Sequence, residues 1–211
     1  MMENTVSSLT ISSVRRIHGR ATLTLSDGET LAMPRAMLRE RPYKRGVPFD
    51  RAAFDSFILE RSYSFAMDKA ISLLAARSRT EKEIVSSLQK NAYPEQIIAR
   101  VMARLTEAGY LNDADFAEHW ASSRTNKGLG SRRIRMELRQ KGVSQEEIDA
   151  ALSALDSNDV IDGAIKIAEK SARGKDLSSP ADRQKIMAAL ARRGYDFSIA
   201  KQALNQLISS Q

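Results

Sequence analysis

The sequence predicts an all-α protein in which three tandem three-helix repeats form a curved, elongated solenoid, preceded by a small β-containing N-terminal segment. Strand-like alternation is confined to the start of the chain, and beyond about residue 65 the apolar positions recur at helical spacing. An apolar frame then repeats at offsets of 50 and 52 residues. Because a unit of about 45 residues can barely bury a core of its own, we expect neighbouring units to stack.

The N-terminal segment is predicted to contain strands within residues 6–33. Residues 21–25 alternate in period two, and the Asp-Gly pair at 27–28 is favoured in tight hairpin turns. Residues 30–33 would return antiparallel, and residues 14–17 would belong to a preceding strand. A module this small is expected to lean on the helices that follow it.

Five apolar positions define the repeated frame. They are Ile84, Leu88, Tyr93, Val101 and Leu105 in repeat 1, Ile134, Leu138, Val143, Ala151 and Leu155 in repeat 2, and Ile186, Leu190, Tyr195, Ala203 and Leu207 in repeat 3. Each frame predicts two helices, and a further helix is expected upstream at residues 68–76, 113–123 and 160–172. The predicted boundaries are 1–62 for the N-terminal segment and 63–110, 111–156 and 157–211 for the repeats.

Helix-ending and helix-starting residues support this frame. Gly142 and Gly194 occupy the place where a helix ends through a residue of positive φ, whereas repeat 1 has Ala92 there, a departure that the preceding asparagine could cover. The second helices are expected to begin at Pro94, at a capping box formed by Ser144 and Glu147, and at Asp196.

The composition excludes several classes of protein. The net charge is +7, which favours an anionic partner, and the absence of Cys excludes disulfides, thiolate zinc sites, iron–sulfur clusters and Cys nucleophiles. No apolar run approaches the roughly 18–20 residues that a membrane span requires, and no export signal is visible, so we expect a cytoplasmic protein. Gly128-x-Gly130 is not a dinucleotide or P-loop motif. No catalytic residue, cofactor site or metal site is predicted.

One helix start departs from the rule that acidic residues stabilise the first turn. The corresponding helices of repeats 1 and 3 open with acids, but that of repeat 2 opens with Ser131-Arg132-Arg133-Ile134-Arg135 and has no acid before Glu137. Each misplaced charge costs roughly 0.3–1 kcal/mol. Helical geometry also places Arg132, Arg135 and Arg139 within roughly 60° of one another. Free backbone amides and an arginine row would then form an anion site.

All seven basic residues of residues 111–155 lie between Arg124 and Lys141, so Arg124, Lys127 and Lys141 are expected to extend this surface. A solvated basic face is the alternative interpretation. His119 and Trp120 are expected to pack in the core. Tyr93, Tyr110, Phe116 and Tyr195 are likewise assigned to core or frame positions rather than to base stacking.

Several stretches resemble the bacterial RecX family of regulators of the recombinase RecA. They are Ala75-Ala76-Arg77-Ser78-Arg79-Thr80-Glu81-Lys82-Glu83-Ile84, Gly109-Tyr110-Leu111-Asn112-Asp113 with Phe116-Ala117, Gly130-Ser131-Arg132-Arg133-Ile134 through Glu137-Leu138, and Lys141-Gly142-Val143. The resemblance spans roughly residues 63–207. Their order along the chain makes the resemblance specific.

The resemblance implies a non-enzymatic modulator that lies in the groove of the RecA–single-stranded-DNA filament. Such a protein restrains filament extension, ATP hydrolysis, strand exchange and the SOS response, and binds single-stranded DNA weakly and without sequence preference. We expect a monomer. The residues expected to make contact are Arg132, Arg133, Arg135, Arg139 and Lys141, with Arg77, Arg79 and Lys82 as a second patch.

Three alternatives remain at this point. A stand-alone helix-turn-helix-like protein would read duplex DNA with the arginine-rich helix, although a reading helix usually mixes Asn, Gln and Ser with Arg. An inert helical adaptor would use its basic face only for solubility. An enzyme has the least support.

Overall fold

A computed structural model describes residues 9–210, and residues 6–8 of the predicted strand region lie outside this range. The chain divides into two compact units after Leu111. The described residues are mostly helical, with three strands near the N-terminus, which confirms the predicted helical class and the small β-containing N-terminal segment. None of the helices described is both long and apolar enough to cross a membrane.

The elements follow the predicted order. The strands are β1 (Ile11–Ile17), β2 (Arg20–Leu25) and β3 (Thr30–Pro34), followed by a 3₁₀ helix (Arg35–Arg39). The helices are α1 (Arg51–Ala76), α2 (Glu81–Lys90), α3 (Glu95–Glu107), α4 (Asp113–Thr125), α5 (Ser131–Lys141), α6 (Gln145–Ser153), α7 (Ser157–Ala172), α8 (Pro180–Arg192) and α9 (Phe197–Ser209). Repeat 1 lies in the first unit and repeats 2 and 3 lie in the second.

The strands form one antiparallel sheet in the order β1-β2-β3. Gly28 takes a positive φ of 90° in the predicted hairpin turn, and Ala21, Leu23 and Leu25 of β2 alternate inward as expected. These side chains share a buried cluster with Phe54 from the start of α1. The sheet is therefore supported by a helix, as a three-stranded module requires.

Helix α1 is a single 26-residue helix, and the helix expected at residues 68–76 is its last part. It contains no Gly or Pro that would break it. Its first half packs against the sheet through Phe54 and Ile58, and its second half packs into repeat 1 through Ala66 and Ala70. The expected boundary between residues 62 and 63 thus lies inside a helix that serves both modules.

The repeated frame forms the core of each repeat. The first four positions are buried in all three repeats, and the Ile and Leu that open each frame are fully inaccessible to solvent. The fifth position differs, because Leu105 is buried whereas Leu155 and Leu207 are half-buried. The apolar pattern therefore located the core and the helix pairs correctly.

The turn between the two frame helices has the same left-handed residue in each repeat. Gly142 and Gly194 have φ values of 92° and 89°, and Ala92 takes the equivalent conformation at 62°. In repeat 1 the Asn91 side-chain amide donates to the backbone carbonyl of Ser87 at 2.7 Å and helps to close the helix. The turn is thus retained without glycine, at the cost of a strained alanine.

Of the two side-chain caps predicted for the second helices, one forms and one does not. The capping box of Ser144 and Glu147 is complete, and the Thr80 hydroxyl accepts from the amide of Glu83 at 3.3 Å. Asp196 directly precedes α9, but its side chain caps no amide of that helix. Its carboxylate is bound by another repeat, as described below.

Two assignments to the core are wrong. Tyr110 is 64% exposed, and His119 is exposed on α4, where its Nδ1 lies 2.7 Å from the Asp115 carbonyl oxygen. Phe116 is buried and stacks on half-buried Trp120, with ring centroids 5.5 Å apart. A spacing of four residues identified the Phe116–Trp120 pair, but spacing alone did not identify which neighbours face solvent.

Replacing Ala92 with glycine should stabilise the protein, because glycine adopts a positive φ without the clash of a side chain. We expect the free energy of unfolding to rise by about 1 kcal/mol in urea denaturation. Gly142→Ala at the equivalent turn should lower it by a similar amount. A destabilised Ala92→Gly variant would show that the turn is not strained.

Candidate binding surface on repeat 2

The N-terminus of α5 is bonded to repeat 3. The amide of Gly130 donates to the carbonyl of Arg193 at 3.0 Å, and the amide of Arg132 donates to the carbonyl of Gly194 at 3.1 Å. The carbonyl groups of the turn between α8 and α9 therefore accept hydrogen bonds from amides that an external anion would need. The expectation of a free anion site at this helix start is wrong, because the compensating negative charge comes from within the chain.

This contact depends on two glycines that approach closely. A Cβ on Gly130 would lie 2.3 Å from the Tyr195 nitrogen and 2.4 Å from the Gly194 carbonyl oxygen. A Cβ on Gly194 would lie 2.5 Å from the backbone nitrogen of Arg133. These atoms belong to the backbone and cannot rotate away, so the two positions admit no side chain.

We call Arg132, Arg135 and Arg139 the arginine row. They share one side of α5, as helical geometry predicted, and each has a partner in the same unit. Arg132 pairs with Asp196 at 2.6 Å, Arg135 pairs with Asp149 of α6, and Arg139 donates to the Gln145 side-chain oxygen at 3.1 and 2.5 Å. The row is therefore not a set of unpartnered guanidinium groups, which corrects the sequence-based expectation.

The row nevertheless remains accessible. The side chain of Arg132 is 72% exposed, Arg139 is exposed and Arg135 is about one-third exposed. Hydrogen bonds from Gln145 and then Arg135 lower the pKa of Asp149 below its usual range, so Asp149 is ionised at neutral pH. Exposed ion pairs of this kind contribute only about 0–1 kcal/mol each, because water screens them.

The remaining basic residues near α5 surround Trp120 and Glu137. Arg124 pairs with Glu137 at 2.8 Å, the Trp120 indole donates to the same carboxylate at 3.1 Å, and Arg133 lies 3.5 Å from it. Arg124 and Lys141 also lie over the Trp120 ring, at 4.0 and 4.3 Å from its centroid. These cations hold α4 against α5, so we assign them a structural role as well as a surface one.

Lys127 lies outside α5, and the second patch belongs to the first unit. Lys127 is exposed in the connection between α4 and α5. In the other unit, Arg77 pairs with Glu83 at 2.9 Å, and Arg79 donates to the Leu73 carbonyl at 3.0 Å. Lys82 is exposed on α2. Arg79 is therefore largely committed to closing the connection between α1 and α2.

The sequence reasoning missed the acceptors of the row. Asp149, Asp196 and Gln145 lie on helices or turns that pattern analysis treated only as scaffold. The uncapped, glycine-flanked start of α5 was the available signal, since helix amides without a local cap must find a partner elsewhere.

Comparison with known families identifies the repeats. Residues 66–105 match the model of the first three-helix domain of RecX, residues 112–152 match the second, and residues 159–204 match the third.

The chain is also 40% identical over 136 residues to the regulatory protein RecX of Mycolicibacterium vanbaalenii. The aligned region covers 61% of this chain and 74% of the relative. The chain belongs to the RecX family. RecX of Mycobacteroides abscessus is 36% identical over 170 residues, covering 72% of this chain and 74% of the relative.

Solved RecX structures share this fold. A crystal structure of regulatory protein RecX matches with a TM-score of 0.65 at 22% identity, covering 93% of this chain and 99% of the other. RecX from Lactobacillus salivarius matches with a TM-score of 0.66 at 23% identity, covering 69% of this chain and 96% of the other.

The contact between Gly130 and Gly194 can be tested by Gly130→Ala. Gly130 has a φ of −83°, which any residue adopts, so alanine would meet no backbone strain there and, as a poorer N-cap, would cost only about 0.5 kcal/mol if the space were open. Because the added Cβ would meet backbone atoms, we expect the free energy of unfolding to fall by about 2 kcal/mol or more. Gly174→Ala is the comparison, because its φ of 72° strains alanine by about 1 kcal/mol although the space around it is open, and Gly130→Ala should cost more than this. An unchanged or raised stability of Gly130→Ala would contradict the contact.

Proposed function

We propose that this chain binds the RecA–single-stranded-DNA filament in its groove and inhibits filament growth, RecA ATP hydrolysis, strand exchange and activation of the SOS response. It acts in the cytoplasm as a monomeric, non-enzymatic regulator. Single-stranded DNA contributes weak, sequence-independent contacts. The observation that carries the proposal is the match of all three RecX domains, in order, to the three helical repeats.

The arginine row supplies a physical means of binding. Each guanidinium already contacts a carboxylate or an amide oxygen, so its geometry suits an acidic side chain or a phosphate of a partner. Exchange of an exposed intramolecular ion pair for an intermolecular one costs little, because the original pair contributes at most about 1 kcal/mol. Binding by partner exchange therefore remains favourable.

The same geometry argues against a stand-alone helix-turn-helix reader. Such proteins insert the N-terminal residues of the recognition helix into the major groove. In this chain the backbone at the start of α5 is covered by the turn between α8 and α9, with Gly130 and Arg132 bonded to it. Insertion would require repeats 2 and 3 to separate.

The proposal predicts that neutralising the row weakens inhibition of RecA. The test variant is Arg132→Gln with Arg135→Gln. Glutamine is chosen over glutamate because a glutamate at either position would lie beside Asp196 or Asp149 and disturb the fold by charge repulsion. Loss of two charge-assisted hydrogen bonds of about 1.5 kcal/mol each should raise the half-inhibitory concentration by tenfold or more. The measurement is steady-state ATP hydrolysis by RecA on single-stranded DNA as the protein is titrated in.

The matched control is Arg104→Gln with Lys185→Gln. These two cations also form exposed ion pairs, at 2.9 and 2.8 Å, but lie outside the row. The control should inhibit like the unaltered protein. Equal inhibition by both double variants would exclude the row as the contact surface, and no inhibition by the unaltered protein would refute the proposed function itself.

A further inference from the structure

A cleft of about 720 Å³ lies in the first unit, where the β segment meets repeat 1. Its walls come from the turn between β1 and β2, the 3₁₀ helix, the second half of α1 and the turn between α2 and α3. Pockets that hold small ligands in proteins typically measure about 300–1,000 Å³. The cleft is therefore large enough for a nucleotide and larger than an inorganic phosphate needs.

The charge of the cleft is strongly asymmetric. Four cations and one carboxylate line it, and these are Arg16, Arg35, Arg39, Lys69 and Asp68. Among residues 9–210, no ion pair involves any of the four cations, in contrast to the paired arginine row. Unneutralised cations around a concave surface concentrate positive potential and attract anions.

The rim of the cleft is held in a fixed conformation. His18 takes a positive φ of 51°, and the carbonyl of Gly19 accepts from the amide of Arg35 at 2.9 Å. A Cβ on Gly19 would lie 1.5 Å from the Asn91 side-chain oxygen, so the turn between β1 and β2 rests directly on repeat 1. A site that is already ordered loses less conformational entropy when a ligand binds.

The lining is also suited to more than a bare anion. Half-buried Phe65 and Leu38 and buried Tyr93 contribute apolar surface beside the cations. Arginine binds phosphate oxygens in a bidentate manner, and aromatic and aliphatic surface accepts a base or a sugar. We propose that this cleft is a nucleotide-phosphate site, which takes either a free nucleotide or a nucleotide unit of single-stranded DNA. It is distinct from the arginine row and needs no RecA.

The proposal is tested by binding to this 211-residue chain without RecA, with a fluorescent ATP analogue and a fluorescein-labelled oligothymidylate as ligands. The variant is Arg16→Gln with Lys69→Gln. The control is Arg15→Gln with Lys90→Gln, which changes the net charge equally, and Arg15 is the neighbour of Arg16 on β1 but does not line the cleft. If the cleft takes free nucleotides, we expect the variant to bind the analogue about tenfold more weakly. If it takes DNA, we expect weaker DNA binding, and the slope of log affinity against log salt concentration should be shallower by about 0.7 for each phosphate that the variant no longer neutralises.

The two ligands distinguish the source of the phosphate. Loss of analogue binding, with competition by pyrophosphate in the unaltered protein, indicates a site for free nucleotides. If the variant loses affinity only for the oligothymidylate, the cleft binds the DNA backbone. Equal affinities of variant and control for both ligands, or no binding of either ligand by the unaltered protein, would overturn the proposal.

Asp68→Asn provides a test of opposite sign. Asp68 is the one carboxylate in the lining, and it should repel phosphate. Its neutralisation should tighten binding of the same ligand by about threefold. A gain in affinity cannot arise from misfolding, and a loss of affinity in Asp68→Asn would refute the proposed role of charge in the cleft.

Discussion

In the second unit, repeats 2 and 3 meet at a close backbone contact between the start of α5 and the turn between α8 and α9. Gly130 and Gly194 pass so closely that neither admits a Cβ, and the Gly194 carbonyl accepts the amide of Arg132. The contact explains why α5 tolerates arginines in its first turn. Carbonyl oxygens and the Asp196 carboxylate of repeat 3 supply the negative charge that acidic residues supply in the other repeats.

The same contact places Asp196 beside Arg132, whereas α6 of repeat 2 supplies the partner of Arg135. Arg132 and Arg135 are held by Asp196 and Asp149, at an exposed surface where ion pairs are weak. Intramolecular acids therefore orient the guanidinium groups without burying them. They would also compete with an external acid or phosphate, so the proposed binding through the row should depend on the charge of these two carboxylates.

The fold could be predicted from the sequence because the same pattern of core positions recurs in all three repeats. Ile84 and its two equivalents recur at regular offsets, and the helix-ending residue in each repeat keeps its positive φ even where it is Ala92. The row itself was also predictable, since helical spacing alone places its members together. Its partners were not, because Asp196 resembles an ordinary N-cap and only the packing of repeat 3 on repeat 2 directs its carboxylate to Arg132. The basic cleft escaped detection for the same reason, as Arg16 and Lys69 are far apart in the sequence.

In the proposed mode of binding, the arginine row exchanges its own acids for those of the filament. Asp149→Asn with Asp196→Asn tests it directly, because both changes keep the size of the side chain and remove only its charge. For this variant, the half-inhibitory concentration in RecA ATP hydrolysis should fall by about threefold or more. The control is Glu118→Gln with Glu169→Gln, which raises the net charge equally on exposed faces of α4 and α7. The control should leave the half-inhibitory concentration unchanged. Unchanged or weaker inhibition by the Asp149/Asp196 variant, at an unaltered free energy of unfolding, would contradict binding by exchange of acids.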